Sequence, residues 1–233
     1  ATAHRLGLHA SFSPMVTRGA AGNGVHIHMS FRDRQRQPVA YDAEKPYGVS
    51  AVMGSFIAGI LRRLPEIIGV VAPSAASYER LRPHAWSSAY NNLGHRDREA
   101  AIRICPVSDV PGAHVASAFN VEFRAADAAA SPYLQLGILV RAGLEGIREN
   151  LPLPEPTSSD PAAMSDTERA ERGVRRLPGS LAEALDALEA ASGVRDLMPG
   201  ELFDAYVMHK RGELAALDGL EMDEICRRYA EVY

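Results

Sequence analysis

The sequence predicts an α+β fold, and two observations predict it. Segments alternating apolar and polar residues at a period of two fall in two groups, before residue 32 and between 101 and 124, with helix-period stretches between and after them. Strands, helix, strands, helices is the order of a sheet with segregated helices rather than of a doubly wound sheet. At 233 residues, 46% hydrophobic and 23% charged, the chain suffices for one large domain with its own core, or a domain plus a small appendage. A net charge of -4 recruits no nucleic acid.

Leu6 to Phe12 and Gly24 to Phe31 read as two strands joined by a loop holding Pro14, Gly19, Gly22 and Gly24, with a polar turn over Asp33 to Gln37 after them. From Ser50, a capping residue, Val52, Phe56, Ile57, Ile60 and Leu61 recur at the spacing of a core helix, with Pro65 a kink or a restart. Residues 73–98 have no clean period and are rich in Pro, Ser, Asn and Gly. That is a long ordered loop, a kind usually functional in compact domains. Ala101 to Ile104 and Asn120 to Arg124 return to alternation around a turn at Pro111-Gly112. Ser131-Pro132 is an N-cap with proline at the first helical position, opening a mostly apolar, buried helix over Tyr133 to Arg148. Residues 150–168, with Pro152, Pro154, Pro156 and Pro161, read as a surface linker. It divides a sheet and active-site core, 1–149, from a helical C-terminal part, 169–233. There Ser180-Leu181-Ala182-Glu183 is a capping box opening a helix that ends near Gly193, and further helices fill 200–218 and 222–230.

Successive side chains of a strand point to opposite faces, so His26, His28 and Ser30 share one face while Val25, Ile27, Met29 and Phe31 share the other. Asn120, Glu122 and Arg124 likewise lie opposite Val121 and Phe123. A histidine nitrogen and a carboxylate are sensible co-ligands for Mg²⁺ or Mn²⁺, which makes His26 with Glu122 a candidate for part of a metal site. Taken singly, the two histidines are as readily core or surface residues and Glu122 a salt-bridge partner. Arg80, Arg82, Arg96, Arg98, Arg103 and Arg124 concentrate in the middle of the chain and predict a local cationic cleft; solvated arginines are the alternative. The forked donors of Arg98 and Arg103 suit phosphate oxygens, and Arg80 suits a substrate carboxylate. Trp86, the only tryptophan, walls a pocket in the 73–98 loop or packs a core. Gly22 and Gly24 let backbone approach a ligand closely, or serve a tight turn. The pairing of candidate metal ligands with anion contacts points to phosphoryl transfer.

Cys105 and Cys226, without paired spacing, read as free thiols in a reducing compartment, hence the cytoplasm. No apolar run approaches the ~18 to 20 residues needed to span a bilayer. The first residues lead into no signal-peptide core, and without an initiating methionine the chain reads as a fragment.

Read together, these segments resemble the C-terminal catalytic region of the glutamine synthetase family. The resemblance rests on Gly22-Asn23-Gly24-Val25-His26-Ile27-His28-Met29-Ser30, Ser77-Tyr78-Glu79-Arg80-Leu81, Arg96 through Ile104, and Val121-Glu122-Phe123-Arg124 through Asp127 to Ser131-Pro132-Tyr133-Leu134. Ala142 to Ile147 and Gly179 to Leu185 extend it over nearly the whole chain in the expected order. It implies an antiparallel sheet packed by helices, with a helical C-terminal third. It also implies an ATP-dependent ligase that phosphorylates the γ-carboxylate of glutamate and lets an amine displace the phosphate. By motif position, His26 and Glu122 bind a divalent metal, Mg²⁺ or Mn²⁺. His28 and Ser30 face the nucleotide, and Arg98 and Arg103 hold ATP phosphates. Gly22, Arg80 and Arg124 position glutamate, Arg124 also meeting the developing acyl phosphate, and Arg98 and Arg124 are the catalytic cations.

Three departures bear on the substrate. Trp86 stands where ammonia-using members carry a glutamate that closes the ammonium site, so an organic amine held by apolar or cation-π contact is expected. Ala21 and Asn120 replace an asparagine and an arginine. The alternatives are ordinary glutamine synthesis with ammonia, and a catalytically inactive structural or regulatory homologue. The family's other metal carboxylates and its β-grasp domain belong upstream of Ala1, and full-length members form homo-oligomeric rings. The fragment alone is therefore expected to bind metal weakly and not to turn over. No tyrosine occurs in residues 150–166, where the resemblance places an adenylylation site.

Overall fold

Val52, Phe56, Ile57, Ile60 and Leu61 form the first turns of the longest helix in the molecule, and the rest of the chain is arranged around it. The computed structural model describes residues 2–85, 87–108 and 114–233. In chain order its elements are α1 (Thr2–Arg5), β1 (Ile27–Met29), α2 (Ala51–Val71), α3 (Ser77–Arg80), β2 (Leu93–His95), β3 (Ile102–Ile104), α4 (Val115–Ala118), β4 (Val121–Phe123), α5 (Pro132–Arg148), α6 (Asp166–Glu171), α7 (Leu181–Ala190), α8 (Gly200–Ala216) and α9 (Met222–Val232). The α+β class is borne out. Sheet residues Leu93, Ile102, Ile104, Val121 and Phe123 share one buried core with Met53, Ile57, Ile60 and Leu64 of α2 and Ile138 and Leu139 of α5.

Ser50 caps α2 as expected, its hydroxyl accepting the Met53 N–H at 3.3 Å. Pro65 neither kinks the helix out of register nor restarts it; α2 runs through it. Proline removes the donor that Leu61 O would have used, and Asn91 Nδ2 supplies one from outside the helix at 2.9 Å. Helix α5 crosses α2 at backbone contact distance. A Cβ on Gly146 would lie 2.0 Å from Ser55 O, and one on Gly59 2.3 Å from Ala142 O. Overpacking of this kind costs about 1–3 kcal/mol per added methyl.

The sheet order is β1-β4-β3-β2. The β1–β4 and β3–β4 pairings are antiparallel, as expected, whereas β2 and β3 run parallel. The loop over 96–101, opened by Arg96 in the left-handed region (φ 64°), returns the chain alongside itself in the same direction. β2 lay inside the segment expected to be a loop, since Leu93-Gly94-His95 is too short to show a period. The expected strand Leu6 to Phe12 does not form. Its residues are largely exposed and find no neighbouring strand, and Phe12 N–H bonds to Tyr233 O instead. In the expected strand 24–31 exposure alternates over residues 26–30, but the segment pairs as a ladder only over Ile27–Met29. The expected turn at Pro111-Gly112 lies outside the described residues.

The proline-rich stretch after α5 lies along the body. Thr157 N–H donates to Leu93 O (2.9 Å), and Asn92 Nδ2 donates to Thr157 Oγ1 (2.8 Å). Beyond it, Ser165 and Glu168 form a full capping box for α6. At α7 only half of the expected box exists: Ser180 accepts from Glu183 N–H, but the Glu183 carboxylate accepts from Gly179 N–H. Cys105 and Cys226 are free and buried. Among the described residues no helix is long and apolar enough to cross a membrane.

Candidate active site

Strand pairing turns the alternation seen in the sequence into a site. In the register of the sheet, Glu122 on β4 stands directly between His28 on β1 and Arg103 on β3. Residues i and i+2 of a strand share a face, so His26 and Arg124 join the same row one step along. Exposure along residues 26–30 alternates accordingly, with His26, His28 and Ser30 outward.

The carboxylate of Glu122 is almost wholly enclosed and is held from three sides. Arg103 Nη2 lies 2.6 Å from Oε2; Arg124 Nη1 donates to Oε1 at 2.8 Å, and His26 Nδ1 lies 2.8 Å from the same oxygen. Burial pushes the Glu122 carboxyl up, but Arg124, Arg103 and His26 together outweigh it and hold it below the usual carboxylate range. Burial and the neighbouring Arg124 push His26 down, which favours the neutral imidazole. Asn120 Nδ2 donates to Ala118 O, so its Oδ1 is the acceptor for His28 Nδ1–H at 2.8 Å. His28 Nε2 faces Glu122 at 3.6 Å.

Arg80 is almost completely buried behind this row. Its Nη1 donates to Ser87 Oγ (2.8 Å), and its Nη2 donates to Ala125 O (2.9 Å) and Ala126 O (3.0 Å). Gly22 and Gly24 lie flat on it: a Cβ on Gly22 would sit 2.5 Å from Arg80 Cγ, so the glycines serve a side chain of the protein first. Arg124 Nε donates to Arg98 O at 2.9 Å, which fixes the loop that carries the exposed Arg98 side chain to the rim.

These groups line one open cavity of about 930 Å³. Gly22, His26, Arg80, Arg98, Arg103, Glu122 and Arg124 all face it, with Glu79, Arg82 and His84. The expected cationic cleft is therefore present, although Arg96 lies outside its lining. Ser30 shares the exposed face of β1 but lies beyond the cavity lining, as does His28. Trp86 lies outside the described residues; its neighbours Ala85 and Ser87 line the cavity. A second cavity of about 920 Å³ shares the wall residue His84 and carries Asp97, Glu99, Glu155 and Asp160.

The arrangement can gather anionic oxygens under several guanidinium groups beside an imidazole and a carboxylate poised in their metal-binding protonation states. For a divalent cation, His26 and Glu122 fit as two donors of a set. Among the described residues no group of three or more His, Cys, Asp or Glu converges to complete one. Sequence reasoning assigned no role to Asn120 and Ser87, which bond to His28 and Arg80, or to Asp127, whose Oδ2 lies 4.0 Å from Arg80 Nη2. Only their place in the ordered motifs could have flagged them.

The family described as "Glutamine synthetase, catalytic domain" matches residues 1–229. The "Gamma-glutamylpolyamine synthetase GlnA3" of Streptomyces coelicolor is 38% identical over 100% of this chain and 49% of its own length. A glutamine synthetase of Methanocaldococcus jannaschii is 34% identical over 91% of this chain and 45% of its own length. A solved structure described as a novel glutamine synthase homolog superposes with a TM-score of 0.87 at 40% identity, covering 99% of this chain and 50% of that one. The chain thus spans about half the length of the relatives it matches.

Proposed function

This chain belongs to the glutamine synthetase family, and from that premise we propose that the protein is an ATP-dependent glutamate–amine ligase acting on an organic, polyamine-type acceptor. The observation that carries the reading is the Glu122 carboxylate, enclosed by Arg103, Arg124 and His26 in a cavity otherwise rich in arginine.

A carboxylate resists attack by an amine until one oxygen becomes part of a leaving group. In the proposed reaction a γ-carboxylate oxygen of glutamate attacks the terminal phosphorus of ATP and ADP leaves. The amine then displaces phosphate from the acyl carbon and loses a proton. Such transfers depend on positioning and on positive charge around the phosphoryl oxygens. His26 and Glu122 would hold a divalent cation, Mg²⁺ or Mn²⁺, whose charge when bound offsets that of the phosphoryl group. Arg98, on the rim, and Arg103 take phosphate oxygens; His28 and Ser30 face the nucleotide. Gly22, Arg80 and Arg124 position glutamate, with Arg124 also meeting the acyl phosphate. The full-length protein supplies further ligands and assembles into a homo-oligomeric ring in the cytoplasm.

The similarity to a protein named for polyamines and the tryptophan at position 86 support an amine larger than ammonia. The acid-lined cavity across His84 suits an acceptor carrying further cationic groups. The second reading, glutamine synthesis with ammonia, is favoured by the similarity to proteins named glutamine synthetase.

Phosphate release by the full-length protein tests both readings, with ATP, Mg²⁺ or Mn²⁺, glutamate and a panel of ammonia, diamines, ethanolamine and aromatic amines. Diamines or polyamines as best acceptors support the proposal. Ammonia as best acceptor replaces it with the second reading, and an absence of release with every acceptor overturns both in favour of a catalytically inactive homologue.

A further inference from the structure

We propose that Asp127 is a positioning residue for this reaction, a carboxylate set behind the cavity wall that fixes the orientation of the buried Arg80 guanidinium at the floor of the site that receives the substrate. The inference rests on the ligase reading for the identity of that substrate and on the geometry alone for the rest.

Asp127 follows β4 and is fully buried. Its Oδ1 accepts the Ala129 N–H at 3.1 Å; its Oδ2 has no hydrogen-bond partner and lies 4.0 Å from Arg80 Nη2. The terminal nitrogens of Arg80 are engaged by Ser87 Oγ and by the carbonyls of Ala125 and Ala126, with that of Arg124 at 3.5 Å. Only Nε, buried and unpartnered, remains. The side chain cannot swing outward past Gly22 and Gly24, whose backbones lie against its stem. Carbonyls and a hydroxyl satisfy its donors but not its charge, and a buried guanidinium without an anion is strongly disfavoured. Glu122 pairs with Arg103, Arg124 and His26 instead. Asp127 is the carboxylate within reach.

A purely structural residue here would not need the charge, since an asparagine could accept the same Ala129 N–H. Burial pushes the Asp127 carboxyl up to about 6, with Arg80 offsetting only part of the effect. The ionised form is therefore retained at a cost to the fold, which points to its effect on Arg80. The groups facing Asp127 are Ser77, Tyr78 and Arg80 from α3, Tyr206 and Lys210 from α8, and Tyr233 at the end of α9. Of its cationic neighbours, Lys210 is already paired with Glu213 at 2.7 Å.

The test uses the full-length protein and Asp127→Asn. The variant is expected to raise KM for glutamate about tenfold while kcat and KM for ATP stay within about twofold. The wild-type KM for glutamate should rise below about pH 6 and the variant's should not. Independently of turnover, ¹⁵N NMR of the guanidinium should show rotation about the Arg80 Nε–Cζ bond at least about tenfold faster in Asp127→Asn. The wild type should show the same acceleration at about pH 5 relative to about pH 7.5, a comparison that needs no variant to fold. Unchanged rotation, or a loss confined to kcat, overturns the proposal. A wild type inert toward glutamate sinks the ligase reading instead and leaves the rotation measurement to decide this one.

Discussion

Glu122 and Glu224 are each a carboxylate held by two guanidinium groups, yet they belong to different worlds. Glu224 takes Arg227 and Arg228 from the next turn of α9, at 2.7 and 2.9 Å, on an exposed face. Glu122 takes Arg124 from its own strand and Arg103 from the neighbouring one, and is enclosed. Arg227 and Arg228 pull Glu224 down to about 2, and Glu122 is also lowered, so acidity alone does not distinguish them. Surroundings do. An exposed helical pair is screened by water and by salt, whereas a buried cluster cannot lose one member without stranding the others. Where charge is local and wet it decorates; where it converges from distant segments and is dry it is a site.

The comparison is tested most severely at Glu122 itself. Glu122→Ala leaves Arg103 and Arg124 facing one another without an anion, and urea denaturation should register a loss of about 3–5 kcal/mol. In the full-length protein, phosphate release should fall by at least about a thousandfold. A variant that keeps its stability would place Glu122 in the same class as Glu224.

The next largest effect is the pH dependence of stability, where the two buried carboxylates oppose one another. Glu122 is lowered by folding, so its contribution is present above the ordinary carboxylate range and is lost as the pH falls through its depressed value. Asp127 is raised from 3.8 to about 6. Between those values the unfolded chain has released the proton while the folded one still holds it, so stability falls as pH rises across that window, by about 3 kcal/mol. Asp127→Asn should abolish that decline, as read by urea midpoints at a series of pH values.

A smaller change comes from keeping charge and altering shape. Arg103→Lys retains a cation beside Glu122 but gives up the planar fork, and should weaken ATP binding by about 10- to 100-fold with a stability loss of about 1–2 kcal/mol. At the bottom of the scale, Glu224→Gln should leave turnover unchanged and move Tm by less than about 2 °C. Added salt should erase even that shift without touching the effect of Glu122→Ala.

Much of this was legible in the chain. The alternation over 24–31 and 120–124 grouped His26 with His28 and Glu122 with Arg124, and the exposure of residues 26–30 follows it, whereas residues 121–124 are buried on both sides. The α2, α5 and α7 helices announced themselves by spacing or by their N-terminal residues, and α8 and α9 fall where helices were expected. Leu6 to Phe12 misled because alternation describes a strand only when another strand is there to take its hydrogen bonds. Pro65 misled because its cost is met by Asn91, distant in sequence and invisible to any local rule. β2 was hidden by its length, and Asp127 carried no local signal beyond membership of a motif.

The sequence by itself determined which faces are oily and which can bind, since a side chain's direction follows from a two- or 3.6-residue period. It also carried the ordered series of motifs that marks the family. Only the tertiary structure decided that β4 lies between β1 and β3, and so put His28 and Arg103 on either side of Glu122. It alone set Asp127 against Arg80 and laid two glycines across that side chain. Period is a property of neighbouring residues; pairing, burial and the pKa values they set depend on which distant segments share a dry interior.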